Sequence, residues 1–347
     1  MRYLPLDKVE VGMRVGEDLY TADGDLLLAK HLKITSEYLA GLEKRQYPGI
    51  YIADELSEDV EIEYTIRPEV RRKAVSLVHD IFLTENDPED VEPVIDQLSG
   101  QIVGDIICNR NVMCNMMDIK SYDDYTYFHC VNVAVLSSVI GLGFGLDERE
   151  LKKLVSSAML HDIGKRFVDI DIINSPRKLT FEEMEQVKNH PRWGYDFLHE
   201  AYHMPSSVYL GVLQHHEWYD GSGYPNGVAG DDIHLFGRII KVADVYDALV
   251  SKRSYHKPTL PSEAVEYIMG LCGREFDPKV VEIFLKKIAA YPNGVEVELS
   301  DGRDALVVQN YESFCLRPRV RIMETGEEVD LKNDTDAYNL TIVDLVV

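Results

Sequence analysis

The feature that most constrains this chain is a change of hydrophobic period at Tyr291-Pro292. From Arg67 to about Ala290 apolar residues recur at helical spacing, as in Val70, Ala74, Leu77, Val78 and Ile81. Beyond it they alternate: Val295, Val297 and Leu299 precede the turn signal Asp301-Gly302, and Ala305 to Val308 returns. Further strands are expected at Val320 to Met323 and Leu340 to Val347. The central spacing predicts helices over 67–83, 91–108, 124–141, 148–161, 180–200, 206–216, 236–252, 262–271 and 278–290. Thr180 with Glu183 forms a capping box, and Asp277 before Pro278 is an N-cap ahead of a first-turn proline.

The first 60 residues carry strand-like pieces at Met13 to Leu19, Leu26 to Leu28 and Ile50 to Ile52, the turn Asp23-Gly24-Asp25, and a helix over 35–45. The acidic run Glu55 to Glu63 reads as a solvated link. The expected fold is therefore mainly α: a central helical bundle with a small α+β N-terminal module and a short β-rich C-terminal extension. The segments are 1–65 for the module, 66–120 for a helical linker that begins the bundle, 121–290 for the main body of the bundle and 291–347 for the extension. A chain of 347 residues can bury one large core and a smaller one.

Sixty acidic against 36 basic residues give a formal charge of −24, which opposes DNA or RNA binding. A small anionic ligand then needs a local positive source, and bound metal ions are the strongest one. Five scattered cysteines without C-x-x-C spacing fit a reducing cytoplasm better than a disulfide framework. The start has no apolar run of the signal-peptide kind, and Val131 to Leu146 is too short and polar for a membrane span.

The polar chemistry is concentrated in the centre. His129, the pair His161-Asp162, His190, the pair His215-His216 and Asp244 all lie in or beside apolar helical stretches. Rigid helices suit ligands that must converge on an ion. His129, His161, Asp162 and Asp244 can supply one site, and His190, His215 and His216 can give three nitrogens to a second. Asp162, with two carboxylate oxygens, can bridge. A single His-Asp dipeptide is weak evidence, since His79-Asp80 has the same form at the polar edge of a helix. Asp244 is stronger, because an unpaired carboxylate in an apolar helix is costly. In the loop after His216, Gly221 and Gly223 permit tight turns, Pro225 limits flexibility and Tyr224 offers an aromatic face.

With these residues in view, residues 121–290 resemble an HD-GYP domain, a branch of the HD-fold metal-dependent phosphohydrolases. The resemblance rests on His161-Asp162-Ile163-Gly164-Lys165, His215-His216-Glu217, Asp220 to Pro225 and Val242 to Leu249, in the family's order and approximate spacing. It implies hydrolysis of cyclic di-GMP to linear pGpG, and in some members on to GMP, at iron or manganese centres. Carried over, it implies His129, His161, Asp162 and Asp244 at one ion and Asp162, His190, His215 and His216 at the other. It also places Lys165 near the scissile phosphate and Arg253 at a ligand phosphate, with Gly223, Tyr224 and Pro225 beside the pocket. Members with three metals carry a glutamate one turn before the pair, where this chain has Ser157, so two divalent ions are expected. The segment after Lys165, Val168-Asp169 and Asn174 to Lys178, also departs from the family pattern.

The expected reaction is attack by a metal-bridging hydroxide in line with the departing ribose 3′ oxygen. Lys165, Asp220 or a metal-bound water is the proton donor, and the choice stays open. So do two competing readings, a noncatalytic cyclic di-GMP sensor and an HD-fold phosphohydrolase for another nucleotide. The expected partners are cyclic di-GMP, a second copy in a homodimer through a helical surface, and a signalling protein on the N-terminal module.

Overall fold

The computed structural model describes residues 1–21, 26–45, 47–83, 88–109, 113–115, 125–173, 175, 177–251 and 259–346. The expected turn Asp23-Gly24-Asp25 and the expected phosphate ligand Arg253 lie outside them. The chain divides into two compact units: one is Met1–Tyr64 with Asn115–Tyr125 and Ile288–Val347, the other Thr65–Cys114 with Thr126–Lys287.

In the first unit an antiparallel sheet has Gly49–Ala53 at its centre, flanked by Arg2–Pro5 and Arg14–Val15. The central strand is buried on both faces, and the period of two divides its side chains. Ile50 and Ile52 join Leu4, Val15, Ile34 and Leu42 in one core, beneath helix α1 (Ser36–Lys44), whose first turn is capped by Thr35. Tyr51 and Tyr3 point the other way and pack with Val60, Ile62 and Leu306. The acidic run 55–63 is therefore not a solvated link, because the apolar residues within it, Val60 and Ile62, turn inward. Leu306 belongs to the Asp304–Gln309 strand of a five-stranded antiparallel sheet, whose order is 328–330, 319–322, 304–309, 296–299, 342–345. The backbone of Tyr3 also donates to Gly294 O at 2.8 Å, and Arg2 pairs with both Asp54 and Glu296. The two ends of the sequence thus share one unit.

The second unit is helical. It contains α2 (Pro68–Leu83), α3 (Pro88–Cys108), α4 (Tyr125–Gly143), α5 (Glu148–Met159), a 3-10 turn at Ile163–Phe167, α6 (Ile170–Ile173) and α7 (Phe181–Val187). Beyond these lie α8 (His190–Ala201), α9 (Ser206–Gln214), α10 (Leu235–Val250), α11 (Pro261–Gly270) and α12 (Pro278–Lys287). α4 is buried on every side from His129 to Gly141, which is why its apolar residues show no stripe. Among the described residues it alone has the length and apolarity of a membrane span, and 72% of that stretch is buried inside the protein. The expected single helix over 180–200 is two helices. α7 ends at Val187, and α8 opens at His190 with Pro191 in its first turn, where a missing N–H costs nothing. The break sets His190 at a helix start.

Candidate dinuclear metal centre

Asp162 lies in the turn where α5 ends and is only 1% exposed. Its Oδ1 is 3.2 Å from His190 Nε2 and 4.0 Å from His215 Nε2. Its Oδ2 is 3.5 Å from His161 Nε2 and 3.9 Å from His129 Nε2. One carboxylate therefore divides its oxygens between two histidine groups. Donor atoms of His129, His161 and Asp162 lie within 4.8 Å of one another, and so do those of Asp162, His190, His215 and His216. Asp244, on α10, joins the first group through an Oδ1 that is 3.1 Å from His129 Nε2.

The local backbone aims the rings. His161, His190 and His215 each place Nδ1 within 2.6 to 2.7 Å of the carbonyl three residues earlier, on Ala158, Val187 and Val212. A carbonyl can only accept, so Nδ1 carries the proton and Nε2 keeps its lone pair for the centre. Gly164 makes this packing possible, since a Cβ there would lie 1.9 Å from His190 O.

A buried polar atom is nearly always hydrogen-bonded. His161 Nε2 and Asp162 Oδ1 are fully buried and have no hydrogen-bond partner, although both are surrounded by other donor atoms. Two cations between these groups would satisfy both atoms, so the residues fit a dinuclear site.

The charge states agree. Burial opposes ionisation of Asp162, but Lys165, His161 and His190 outweigh it and hold its carboxyl well below the ordinary range. Asp244 is likewise penalised by burial and held low by His129, with His216 and His161 beyond it. Burial keeps His161, His215 and His216 neutral, and in the last two neighbouring imidazoles add to the effect. Ionised carboxylates and neutral imidazoles are the forms that ligate. His129 differs: burial lowers it, but hydrogen bonds to Asp244 and Asp247 prevail and raise it to about 9.

Lys165 follows from the same turn and brings Nζ to 2.5 Å from Asp162 Oδ2 while remaining 28% exposed at its side chain. It is a partly solvated cation beside the centre. The Tyr224 ring stacks on His216, with centroids 4.8 Å apart and planes 19° from parallel, so one aromatic face is covered by a proposed ligand. Gly223 is forced to be small, because a Cβ would lie 2.2 Å from the Trp218 nitrogen. Pro225 follows in the same loop, whose far side is held by Glu217: its two oxygens accept from the N–H groups of Asn226 and Gly227. Asp220 caps its own turn through Ser222 N and Oγ, and its other oxygen faces Arg274 at 3.8 Å. Neither partner is a proposed ligand.

Sequence reasoning missed Asp247 and Asn132. Asp247 Oδ2 is 2.7 Å from His129 Nδ1, and Asp247 Oδ1 accepts from Asn132 Nδ2 at 2.9 Å. The available signal was a second aspartate, three residues after Asp244 and so on the same face of an apolar helix.

This fold and site define an HD-type helical domain, and residues 101–280 match the family model described as HD domain. The chain belongs to that family, in its HD-GYP branch. It is 31% identical over 268 residues to a cyclic di-GMP phosphodiesterase of Pseudomonas aeruginosa, covering 77% of this chain and 64% of that protein. It is 42% identical over 155 residues to a cyclic di-GMP phosphodiesterase response regulator of Xanthomonas campestris pv. campestris, covering 44% and 41%. A 3′3′-cGAMP-specific phosphodiesterase of Vibrio cholerae is 35% identical over 175 residues, covering 50% and 33%. The chain thus spans less than two thirds of the length of these curated relatives. Among solved structures, an HDG"Y"P protein from Bdellovibrio bacteriovorus shares the fold with a TM-score of 0.56 at 17% identity, covering 81% of this chain and 97% of that one.

Proposed function

We propose that this chain is a metal-dependent phosphodiesterase that opens cyclic di-GMP to linear pGpG, from which a second hydrolysis of the remaining phosphodiester would give two GMP. The observation that carries this reading is the division of the Asp162 oxygens between two histidine groups, with Lys165 at one of them. His129, His161, Asp162 and Asp244 would hold one divalent ion, and Asp162, His190, His215 and His216 the other, iron or manganese being expected. Such a pair, when bound, acidifies water and neutralises charge on a phosphodiester.

The chain's own residues supply the rest. Lys165 is assigned to the phosphate oxygens, where an ammonium in a partly buried site stabilises growing negative charge. Glu217 and Gly223 fix the loop that carries Tyr224, and Tyr224 steadies His216. Arg253 is assigned to the remote phosphate, and Lys165, Asp220 or a metal-bound water to protonation of the leaving oxygen. The names of the relatives support a cyclic dinucleotide substrate, and two kinds of nucleotide occur among them.

Separate iron-loaded and manganese-loaded samples incubated with cyclic di-GMP and with 3′3′-cGAMP test the proposal, with linear dinucleotide resolved from mononucleotide. Product from cyclic di-GMP is expected. Binding without product in both metal forms would replace the enzyme reading by that of a sensor, and turnover of cGAMP alone would move the substrate.

A further inference from the structure

A buried polar chain crosses three helices and ends on a proposed ligand. Arg71, in the first turns of α2 and 8% exposed, donates from Nη1 to Asn132 Oδ1 on α4 at 2.6 Å. Asn132, 1% exposed, donates to Asp247 on α10 at 2.9 Å, and Asp247, fully buried, accepts from His129 Nδ1 at 2.7 Å.

The direction of this chain is fixed by chemistry. A guanidinium can only donate and an ionised carboxylate can only accept. Asn132 must therefore turn its oxygen to Arg71 and its NH2 to Asp247. Asp247 is then held in place, and its Oδ2 accepts a hydrogen bond from the Nδ1–H of His129. That leaves Nε2 of His129 aimed at Asp162 and Asp244. The amide of Asn132 has no second orientation that satisfies both neighbours.

We infer that Arg71 is a positioning residue for the metal group built on His129, acting through Asn132 and Asp247. This rests on the dinuclear reading above. The role is selective, because the other three described Nδ1 anchors end on backbone carbonyls and owe nothing to α2. It also gives α2 a hold on one half of the centre. Outer partners of ligating histidines commonly alter affinity by about 10- to 100-fold.

The test is manganese titration, with bound ions counted, in two backgrounds: His215→Ala, which retains the His129 group, and His129→Ala, which retains the His190 group. Arg71→Leu should weaken manganese binding about tenfold or more in the first background and leave the second unchanged. Arg71→Lys, which keeps a donor, should recover part of the loss. Asn132→Leu and Asp247→Asn should show the same asymmetry, and they decide the matter if Arg71→Leu does not fold. Equal weakening in both backgrounds, or unchanged affinity in folded variants, overturns the relay. A wild-type chain that takes up no manganese or iron overturns the metal reading itself.

Discussion

The Ser157 hydroxyl donates to Val208 O at 2.8 Å and lies against Gly211 so closely that a Cβ on that glycine would be 2.1 Å from it. α5 and α9 therefore meet with no spare volume one turn before His161. A carboxylate at 157 has nowhere to go. Ser157→Glu is expected to destabilise the helical unit rather than to create a third ion site, since overpacking costs about 1–3 kcal/mol and an unpaired buried carboxylate adds to it. Thermal unfolding together with metal counting checks this; a folded variant with an additional ion would contradict it.

Asp162→Asn should remove turnover and lower occupancy of both ions, because one residue serves both histidine groups. An amide keeps the size but loses the charge and turns a donor toward one side. Elemental analysis after equilibration with manganese distinguishes the outcomes. Retention of both ions would end the bridging assignment.

The first metal group should be pH-dependent and the second nearly flat above neutrality. His129 is raised to about 9 and must lose its Nε2 proton to ligate, whereas burial lowers His215 and His216. The apparent affinity of the His129 group should rise with pH by up to about tenfold per unit until about pH 9. The folding linkage has the opposite sign. A raised histidine contributes stability below its unfolded value of 6.5, and that contribution fades as pH climbs through about 9. Manganese titrations of His215→Ala between pH 6 and 9 read the first effect, and a level profile would refute it.

Glu217→Ala leaves the N–H groups of Asn226 and Gly227 without their acceptor. Hydrogen bonds to a charged group contribute about 1.5–3 kcal/mol, and less here because Asn226 and Gly227 are exposed and water can replace the acceptor. The expected result is a loosened 221–227 loop and reduced turnover with both metals retained, read by hydrogen exchange and metal analysis. Protection of the Gly227 amide equal to wild type would rule out the anchoring role.

Leu306→Ala should loosen residues 1–62, far away in sequence, because Leu306 packs with Tyr3, Tyr51, Val60 and Ile62. Buried leucine-to-alanine changes cost about 2–5 kcal/mol. Limited proteolysis should cut within the first 62 residues sooner than in wild type. An unchanged cleavage rate would mean that the N-terminal sheet stands without that contact.

Much of this molecule was legible in its sequence because periodicity and ligand chemistry are local. The last helix, expected over 278–290, ends at Lys287 and strand begins at Ile288, just ahead of the change of period at Tyr291-Pro292, while the Thr180–Glu183 capping box forms as read. The residue types at His161-Asp162, His215-His216 and Asp244 already demanded partners, since such groups are not buried alone. Tertiary structure decided what no local signal encodes. It split the 180–200 helix so that His190 meets Asp162, turned Val60 and Ile62 inward from an acidic run, and brought the Leu306 strand onto the N-terminal sheet. It also joined Arg71 to His129 through two residues 61 and 118 positions away from their partners. Hydrophobic pattern says which face of an element is buried, but it carries no address for the surface that will bury it. That address is set only when the elements pack.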